Sequence, residues 1–256
     1  MAGQLCFASD YDGTLVHGPG IPSVQDRAAV DRFREEGGLF GLNTGRTRRG
    51  LAASLKDRLP LDFVILMSGA LVLDAQREVI WERRMPRDVA AEIVGRFRLR
   101  ALGLFLVAGN EYWTTSPVSL VRRSRGTFNV VRRFSMIPDP IYGVAFRMLT
   151  LDAASGLASR INCDFGSVAT AYQNGKSVDV VSAGCSKATG LEVVRRELGV
   201  RAMAAMGDSY NDIPMLRAAD VGYTFPSSPA EVRDAAVSVL PSVGAALADF
   251  SLRMHG

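Results

Sequence analysis

Short apolar runs alternate with amphipathic segments along the first part of the chain. Runs at Gln4–Ser9, Leu39–Asn43 and Phe63–Met67 have the length and composition of buried strands. Ser23 is placed to cap a helix after the first run, and a second helix is predicted from about Thr47 to Arg58. Strands that alternate with helices in this way predict βαβ units and a parallel sheet covered on both faces.

The same alternation returns near the carboxyl end, and another pattern fills the middle. Near the end we predict a helix at about Ser186–Leu198, a strand at Ala202–Met206, a short helix from Asn211 and a strand at Val221–Phe225. In the middle we predict helices from about Arg87 and near Ala153–Asn162. The strands predicted there, some of them paired as hairpins, are Leu71–Asp74, Glu78–Arg83, Leu104–Ala108, Glu111–Thr115, Tyr142–Leu151 and Val168–Tyr172. These patterns predict an α/β fold, in which a Rossmann-like parallel sheet core with helices on both faces carries an inserted α+β cap domain.

Charge is distributed unevenly between these regions. We place the core at residues 1–83 and 179–256 and the cap at residues 84–178. From Trp81 to Gly175 the chain has 13 arginines, no lysine and 7 acidic residues, so this stretch is strongly basic whereas the remainder is slightly acidic. A basic segment of this kind is compatible with an anionic ligand, although from the count alone a solvated basic face is the better explanation. The candidate anion-binding arginines are Arg83, Arg84, Arg122, Arg123, Arg125, Arg132, Arg133 and Arg147.

Composition excludes several classes of protein. Hydrophobic residues make up 48% and charged residues 22% of 256 residues, which is typical of globular domains and not of disordered chains. No charge-free apolar window of about 18 residues exists, and the first residues do not resemble a signal peptide. Three widely spaced cysteines and two histidines disfavour a structural zinc site. We therefore expect a cytoplasmic protein without a membrane partner.

Polar side chains follow the predicted core strands where each strand ends. Asp10 and Asp12 follow the first strand, and paired carboxylates at such an edge can divide the work of nucleophile and proton carrier. After the second strand, Asn43-Thr44-Gly45-Arg46 offers a hydroxyl and backbone N–H groups that suit a phosphate oxygen. Turns and helix caps explain each window equally well when it is taken alone.

Two further windows complete the set. Lys187 lies at the start of a predicted helix, where its charge opposes the helix dipole and would favour an anionic partner, although a solvated surface lysine is the better explanation of this window taken alone. Asp208 follows the strand at Ala202–Met206, and together with Asp10 it would supply hard oxygen ligands for Mg²⁺. Because the ends of adjacent parallel strands converge, we expect all these groups in one crevice.

The four windows resemble the motifs of the haloacid dehalogenase (HAD) superfamily of phosphohydrolases, in its Cof-type and sucrose-phosphatase-like branch. The matching segments are DYDGT, NTGR, the lysine of GCSKATGL, and GDSYNDIPML. The insertion is placed like the C2-type cap of that branch. Two segments depart from the branch: Ser68-Gly69-Ala70, where many relatives have Asn-Gly-Ala, and the stretch around Thr224–Ser228.

The resemblance implies a role for each residue. Asp10 would be the nucleophile, and Asp12 would be the general acid and then the general base. Phosphate would be held by Thr44, Gly45, Arg46, Lys187 and Asn211, and Mg²⁺ by Asp10, the main-chain carbonyl of Asp12, Asp208 and Asp212. The implied activity is Mg²⁺-dependent hydrolysis of a small phosphorylated metabolite, such as a sugar phosphate, through an aspartyl-phosphate, under a basic cap that acts as an electropositive lid.

Two alternatives remain open at this point. A phosphomutase of the phosphomannomutase type would use the same nucleophile and acid. A module that binds anions or nucleic acid through the arginine-rich insertion is less favoured, because the sequence has no RNP-like aromatic motif, helix-turn-helix or zinc finger. The sequence leaves the substrate and the oligomeric state open.

Overall fold

The structure, a computed structural model, describes residues 4–18, 21–55, 59–115 and 128–255. Its strands are β1 Gln4–Ser9, β2 Leu39–Asn43, β3 Phe63–Leu66, β4 Leu71–Asp74, β5 Val79–Glu82, β6 Gly103–Ala108, β7 Glu111–Thr114, β8 Phe128–Val130, β9 Ile141–Arg147, β10 Ala169–Asn174, β11 Ser177–Ser182, β12 Val200–Met206, β13 Val221–Thr224 and β14 Ser238–Val239. Its helices are α1 Val24–Glu35, α2 Arg48–Leu55, α3 Arg87–Phe97, α4 Leu151–Phe165, α5 Lys187–Glu197, α6 Ile213–Ala218, α7 Ala230–Ala235 and α8 Val243–His255.

The chain divides into two compact units. The first comprises Met1–Thr44, Ser54–Glu82 and Ser186–Gly256, and the second comprises Gly45–Ala53 and Arg83–Cys185. The predicted boundary at residues 178/179 falls inside β11, because this strand pairs with β10 as far as Ser182. The second unit also includes the start of α2.

The sheet of the first unit is mainly parallel. Within the described residues its strand order is β14-β13-β12-β1-β2-β3-β4-β5. The strands from β14 to β3 are parallel, whereas β4 and β5 add an antiparallel hairpin at one edge. This arrangement confirms the predicted Rossmann-like core. The hairpin extends this sheet.

Helices cover both faces of the central strand β1. Cys6, Phe7 and Ala8 are completely buried, as expected for a strand with apolar neighbours on both sides. Cys6 and Ala8 belong to a cluster with α5 residues such as Leu191. On the opposite face, the ring of Phe7 lies 6.4 Å from that of Phe250 in α8.

Local sequence explains where two of these helices begin. The Ser23 hydroxyl accepts a hydrogen bond from the amide of Asp26, so α1 begins where the cap was predicted. Ser186 and Thr189 form a capping box that fixes the start of α5 at Lys187. The helix predicted at about Thr47–Arg58 corresponds to α2, Arg48–Leu55, and residues 56–58 of the prediction lie outside the described part.

The second unit is an α+β domain. In its described residues the sheet order is β10-β11-β9-β6-β7-β8, antiparallel except for the parallel pair β7–β8. Helices α3 and α4 contribute buried residues such as Ile93, Phe97 and Ile161 to a core that also contains Val144 and Phe146 of β9. The predicted α+β cap is thus present as a unit of its own. Strands β8 and β11 were not among the predicted elements.

No helix in the described part of the chain has both the length and the apolar character needed to span a bilayer.

Candidate active site

Three adjacent strands of the first unit end in the predicted polar residues. Asp10 follows β1, and its amide donates to Met206 O at the end of β12, at 2.9 Å. Thr44 follows β2, and Asp208 follows β12 after one glycine. Because β12, β1 and β2 are neighbours and parallel, their carboxyl ends lie at the same edge of the sheet.

A buried group of charges occupies this edge. Lys187 Nζ lies 2.5 Å from Asp10 Oδ1 and 2.6 Å from Asp212 Oδ1. Lys187, Asp10 and Asp212 are 2%, 6% and 0% exposed. Charges removed from water to this extent are stable only when they are paired and hydrogen-bonded, which these three are. The structure therefore brings together three of the residues singled out from the sequence.

Asp208 joins the group through the loop after β12. The Thr14 hydroxyl donates to Asp208 Oδ1 at 2.9 Å. The amides of Asp208 and Ser209 both donate to Asp212 Oδ2, at 3.0 and 2.9 Å. Asp212 thus binds the ammonium through one carboxylate oxygen and the loop through the other, so it ties this loop to Lys187.

Gly13 allows the first loop to approach Asp208. Its φ is +92°, and a Cβ at this position would lie 2.6 Å from Asp208 Oδ2. Only glycine combines that backbone conformation with that closeness. Thr14 is a contact of the site that the sequence analysis did not assign. Its position four residues after Asp10 was visible, but its bond to Asp208 spans 194 residues of sequence.

The carboxylates form a candidate cation site. Among the described residues, Asp10, Asp208 and Asp212 each offer a carboxylate oxygen, and these oxygens lie within 4.8 Å of one another. Such a set of hard oxygen donors fits Mg²⁺ in its chemistry. The Asp12 side chain is exposed on the turn after β1. Its roles as proton carrier and as metal ligand through its carbonyl remain predictions.

Burial shapes the electrostatics of the cluster. Burial raises the pKa of the Asp10 carboxyl to about 8 despite the opposing Lys187 ammonium, and Asp212 adds to the rise. Burial and the Asp212 charge raise the pKa of Asp208 as well. For Lys187, burial acts against the charge, but the two carboxylates outweigh it and raise the pKa of the ammonium. The carboxylates outnumber the single lysine, so the site favours a further cation.

The other predicted phosphate-binding residues are divided between the two units. Thr44 is buried, and its backbone bonds to Ile65 O and the Ser68 amide at 2.9 and 3.2 Å. Asn211 is buried in a 3₁₀ turn after β12. Gly45 and Arg46 belong to the second unit, where Gly45 O accepts from the Tyr112 hydroxyl at 3.4 Å and Arg46 donates to Gly50 O at 3.1 Å.

Several candidate arginines of the insertion make contacts within the second unit. Arg84 O accepts from the Ser182 hydroxyl at 2.9 Å, and Arg147 donates to the Ser177 hydroxyl at 3.2 Å. Arg83 approaches Gly184. Arg132 and Arg133 lie just after β8, and both are exposed. Arg122, Arg123 and Arg125 lie outside the described residues.

Comparisons with known proteins agree with the fold. A family model described as haloacid dehalogenase-like hydrolase matches residues 7–245. The chain is 25% identical to the stress response protein YhaX of Bacillus subtilis (strain 168) over 250 residues, covering 91% of this chain and 86% of that protein. It is 25% identical to the 5-amino-6-(5-phospho-D-ribitylamino)uracil phosphatase YcsE of the same organism, covering 84% and 81%.

Solved structures show the same fold at lower identity. The HAD subclass IIB sugar phosphatase BT4131 superposes with a TM-score of 0.82 at 19% identity, covering 97% of this chain and 99% of that one. The phosphatase BT1666 of Bacteroides thetaiotaomicron has a TM-score of 0.80 at 23% identity, covering 97% and 96%.

Proposed function

Because the chain belongs to the haloacid dehalogenase-like hydrolase family, we propose that it is a Mg²⁺-dependent phosphatase of small phosphorylated metabolites, with sugar phosphates as the first substrate class to test. The observation that carries the proposal is the buried group of Asp10, Lys187 and Asp212 with Asp208 beside it. The phosphatase name of the relative YcsE supports the same reaction class. The cytoplasm is the location we propose for it.

The proposed reaction has two steps on the same carboxylate. Asp10 attacks phosphorus, the bond from phosphorus to the ester oxygen breaks, and Asp12 gives its proton to the leaving oxygen. A water molecule then attacks the aspartyl-phosphate while Asp12 takes its proton, which releases inorganic phosphate and restores Asp10. Each step transfers one phosphoryl group and one proton, so Asp12 ends as it began.

Charge neutralisation is the main requirement of this chemistry. A carboxylate and a phosphate are both anions, so cations must lie between or beside them. Lys187 would neutralise phosphoryl oxygens, and Thr44, Gly45, Arg46 and Asn211 would orient them.

A bound Mg²⁺ would supply the remaining positive charge. The carboxylates of Asp10, Asp208 and Asp212 would hold it together with the main-chain carbonyl of Asp12. The hydrogen bond from Thr14 keeps Asp208 turned toward the cluster.

The test is Asp10→Asn, assayed for inorganic phosphate across a panel of phosphorylated metabolites. We expect a loss of at least about 10³-fold, because the amide is a poor nucleophile. Asp74→Asn is the matched control. Asp74 is the last residue of β4 and accepts from the Glu78 amide, a bond that asparagine can also accept.

Three results of this assay would contradict the proposal. Undiminished turnover by Asp10→Asn would exclude the nucleophile. Activity of the unaltered protein that is insensitive to EDTA would exclude the cation. Isomerised sugar phosphate without free phosphate would indicate the mutase reaction.

A further inference from the structure

Asn43 is a buried residue of the first unit to which the proposed mechanism gives no role. It is the last residue of β2 and is completely buried. Its side-chain amide donates to the main-chain oxygen of Lys187 at 2.8 Å, across 144 residues of sequence. Only the amide nitrogen can make this bond, because the carbonyl oxygen of Lys187 is an acceptor.

The other atom of this amide has a different environment. Asn43 Oδ1 is buried and has no hydrogen-bond partner among the described residues. A buried polar atom left in this state costs free energy, so a position that only filled space would be better occupied by an apolar side chain. The presence of asparagine here indicates that its one side-chain hydrogen bond, to the Lys187 main-chain oxygen, has a role other than filling space.

Two glycines place the start of α5 close to the sheet. A Cβ on Gly69, whose φ is +91°, would lie 1.9 Å from Ser186 O. A Cβ on Gly190 would lie 2.4 Å from Ile65 of β3. The first turn of α5 is therefore in direct contact with β3 and with the segment that follows it. Neither glycine contact holds the peptide of Lys187 itself, and the Asn43 amide does.

Lys187 needs such a support because its ammonium can contact both carboxylates only within a narrow range of positions. It must reach Asp10 and Asp212 at once, at 2.5 and 2.6 Å, and the whole residue is buried. A displacement of about 1 Å at a catalytic group can cost roughly 100-fold in rate. The main-chain position of the first helical turn therefore controls the ammonium.

We propose that Asn43 is a positioning residue for Lys187, acting through its hydrogen bond to the Lys187 main-chain oxygen. Its effect on catalysis rests on the proposed function, whereas its effect on the position of Lys187 does not. Both can be measured separately.

The first experiment measures the position of Lys187 without any assay of activity. The chain has only three lysines, Lys56, Lys176 and Lys187. We would acetylate the folded protein with acetic anhydride and follow each lysine by peptide mass spectrometry. In the unaltered protein Lys187 should react far more slowly than the exposed Lys176. In Asn43→Ala the Lys187 rate should rise at least about tenfold, because burial and pairing of the ammonium weaken.

Asn162→Ala is the matched control. The Asn162 amide also bonds to a main-chain carbonyl, that of Ala171 at 2.9 Å, but it does so in the second unit. This variant should lose stability while Lys187 reacts at the unaltered rate. Asn43→Leu has the same branched shape and removes the donor without adding a charge, so it replaces Asn43→Ala if the alanine variant does not fold.

The second experiment is steady-state phosphate release by the same variants. We expect kcat of Asn43→Ala and Asn43→Leu to fall at least about tenfold with KM within about threefold, and kcat of Asn162→Ala to stay unchanged. Unaltered Lys187 acetylation in both Asn43 variants would overturn the positioning role. Faster acetylation of Lys187 with unchanged kcat would contradict the effect of Asn43 on catalysis while leaving its effect on the position of Lys187. If the unaltered protein releases no phosphate, the proposed function fails, and the acetylation result alone decides on Asn43.

Discussion

Two groups of charged side chains, one in each unit, are held in opposite ways. In the first unit, Asp10, Lys187 and Asp212 are buried and neutralise one another. In the second, Arg96 and Arg160 share Asp164 at the surface, with arginine side chains 46% and 55% exposed. A buried charge that loses its partner keeps the full cost of its burial, whereas an exposed one is taken over by water. The first arrangement is therefore typical of a site and the second of a solvated surface.

This contrast limits what a count of charges can tell. The insertion is by far the more basic region, yet its described ion pairs are largely exposed. Lys187, which the proposed mechanism uses, is only one of 30 basic residues, so a count of charges does not single it out. Burial and pairing identify it.

The largest effect is expected for Lys187→Met, which removes the cation and leaves two buried carboxylates. Phosphate release should fall by at least about 10³-fold. The free energy of unfolding should fall by about 4 kcal/mol, because both carboxylates lose their partner. Urea unfolding in EDTA measures this, since the chelator keeps divalent cations from replacing the ammonium. Lys176→Met removes an exposed lysine and should change neither quantity. Equal effects of the two substitutions would show that Lys187 is not buried as described.

A smaller effect is expected for Ile161→Ala in the core of the second unit. Ile161 is completely buried in α4, and its loss leaves a cavity that should cost about 3 kcal/mol. Hydrogen exchange should speed up in β6 and β9 before it does in β1, because the cavity lies in the second core. Leu99→Ala, at a position 90% exposed, should cost less than about 0.5 kcal/mol. Equal acceleration of β1 would mean that the two cores unfold together.

The smallest effect is expected for Arg160→Ala. It breaks the 2.9 Å pair with Asp164 on the surface of α4 and should lower the free energy of unfolding by less than about 1 kcal/mol. The difference should shrink further in high salt, which screens exposed pairs. A loss as large as that of Lys187→Met would show that this exposed pair stabilises the fold as much as the buried group of Lys187 does, which contradicts the contrast drawn between them.

The sequence predicted those features that depend on neighbouring residues. The apolar runs of β1, β2 and β12 are long enough to mark buried strands, and Ser23 and Ser186 cap helices within three residues of themselves. The polar residues that follow the strands then meet because parallel strands end together. Asp10 and Asp208 were predicted in this way, Lys187 from its place at the start of a helix, and the role of Asp212 from the family resemblance.

Features that depend on distant partners were not predictable in the same way. β11 has the sequence SVDVVS, and its pairing with β9 and β10 decides that it is a strand. After Phe225 the pattern predicted no element, because small residues dominate there, yet α7, β14 and α8 follow. Thr14 and Asn43 stood inside recognised motifs. Their importance lies in bonds to Asp208 and to the Lys187 main chain, which only the folded chain reveals.

The place where the chain returns to the first unit has a consequence for how the protein can evolve. The second unit ends at Cys185, and Lys187 follows two residues later. Of the four clustered groups, Lys187 is nearest to a junction between the units. The contacts of Ser186 with Gly69 and of Lys187 with Asn43 anchor the chain on the sheet immediately after this junction. We therefore expect that insertions or deletions accumulated in the second unit leave the start of α5 in place as long as Gly69 and Asn43 are kept.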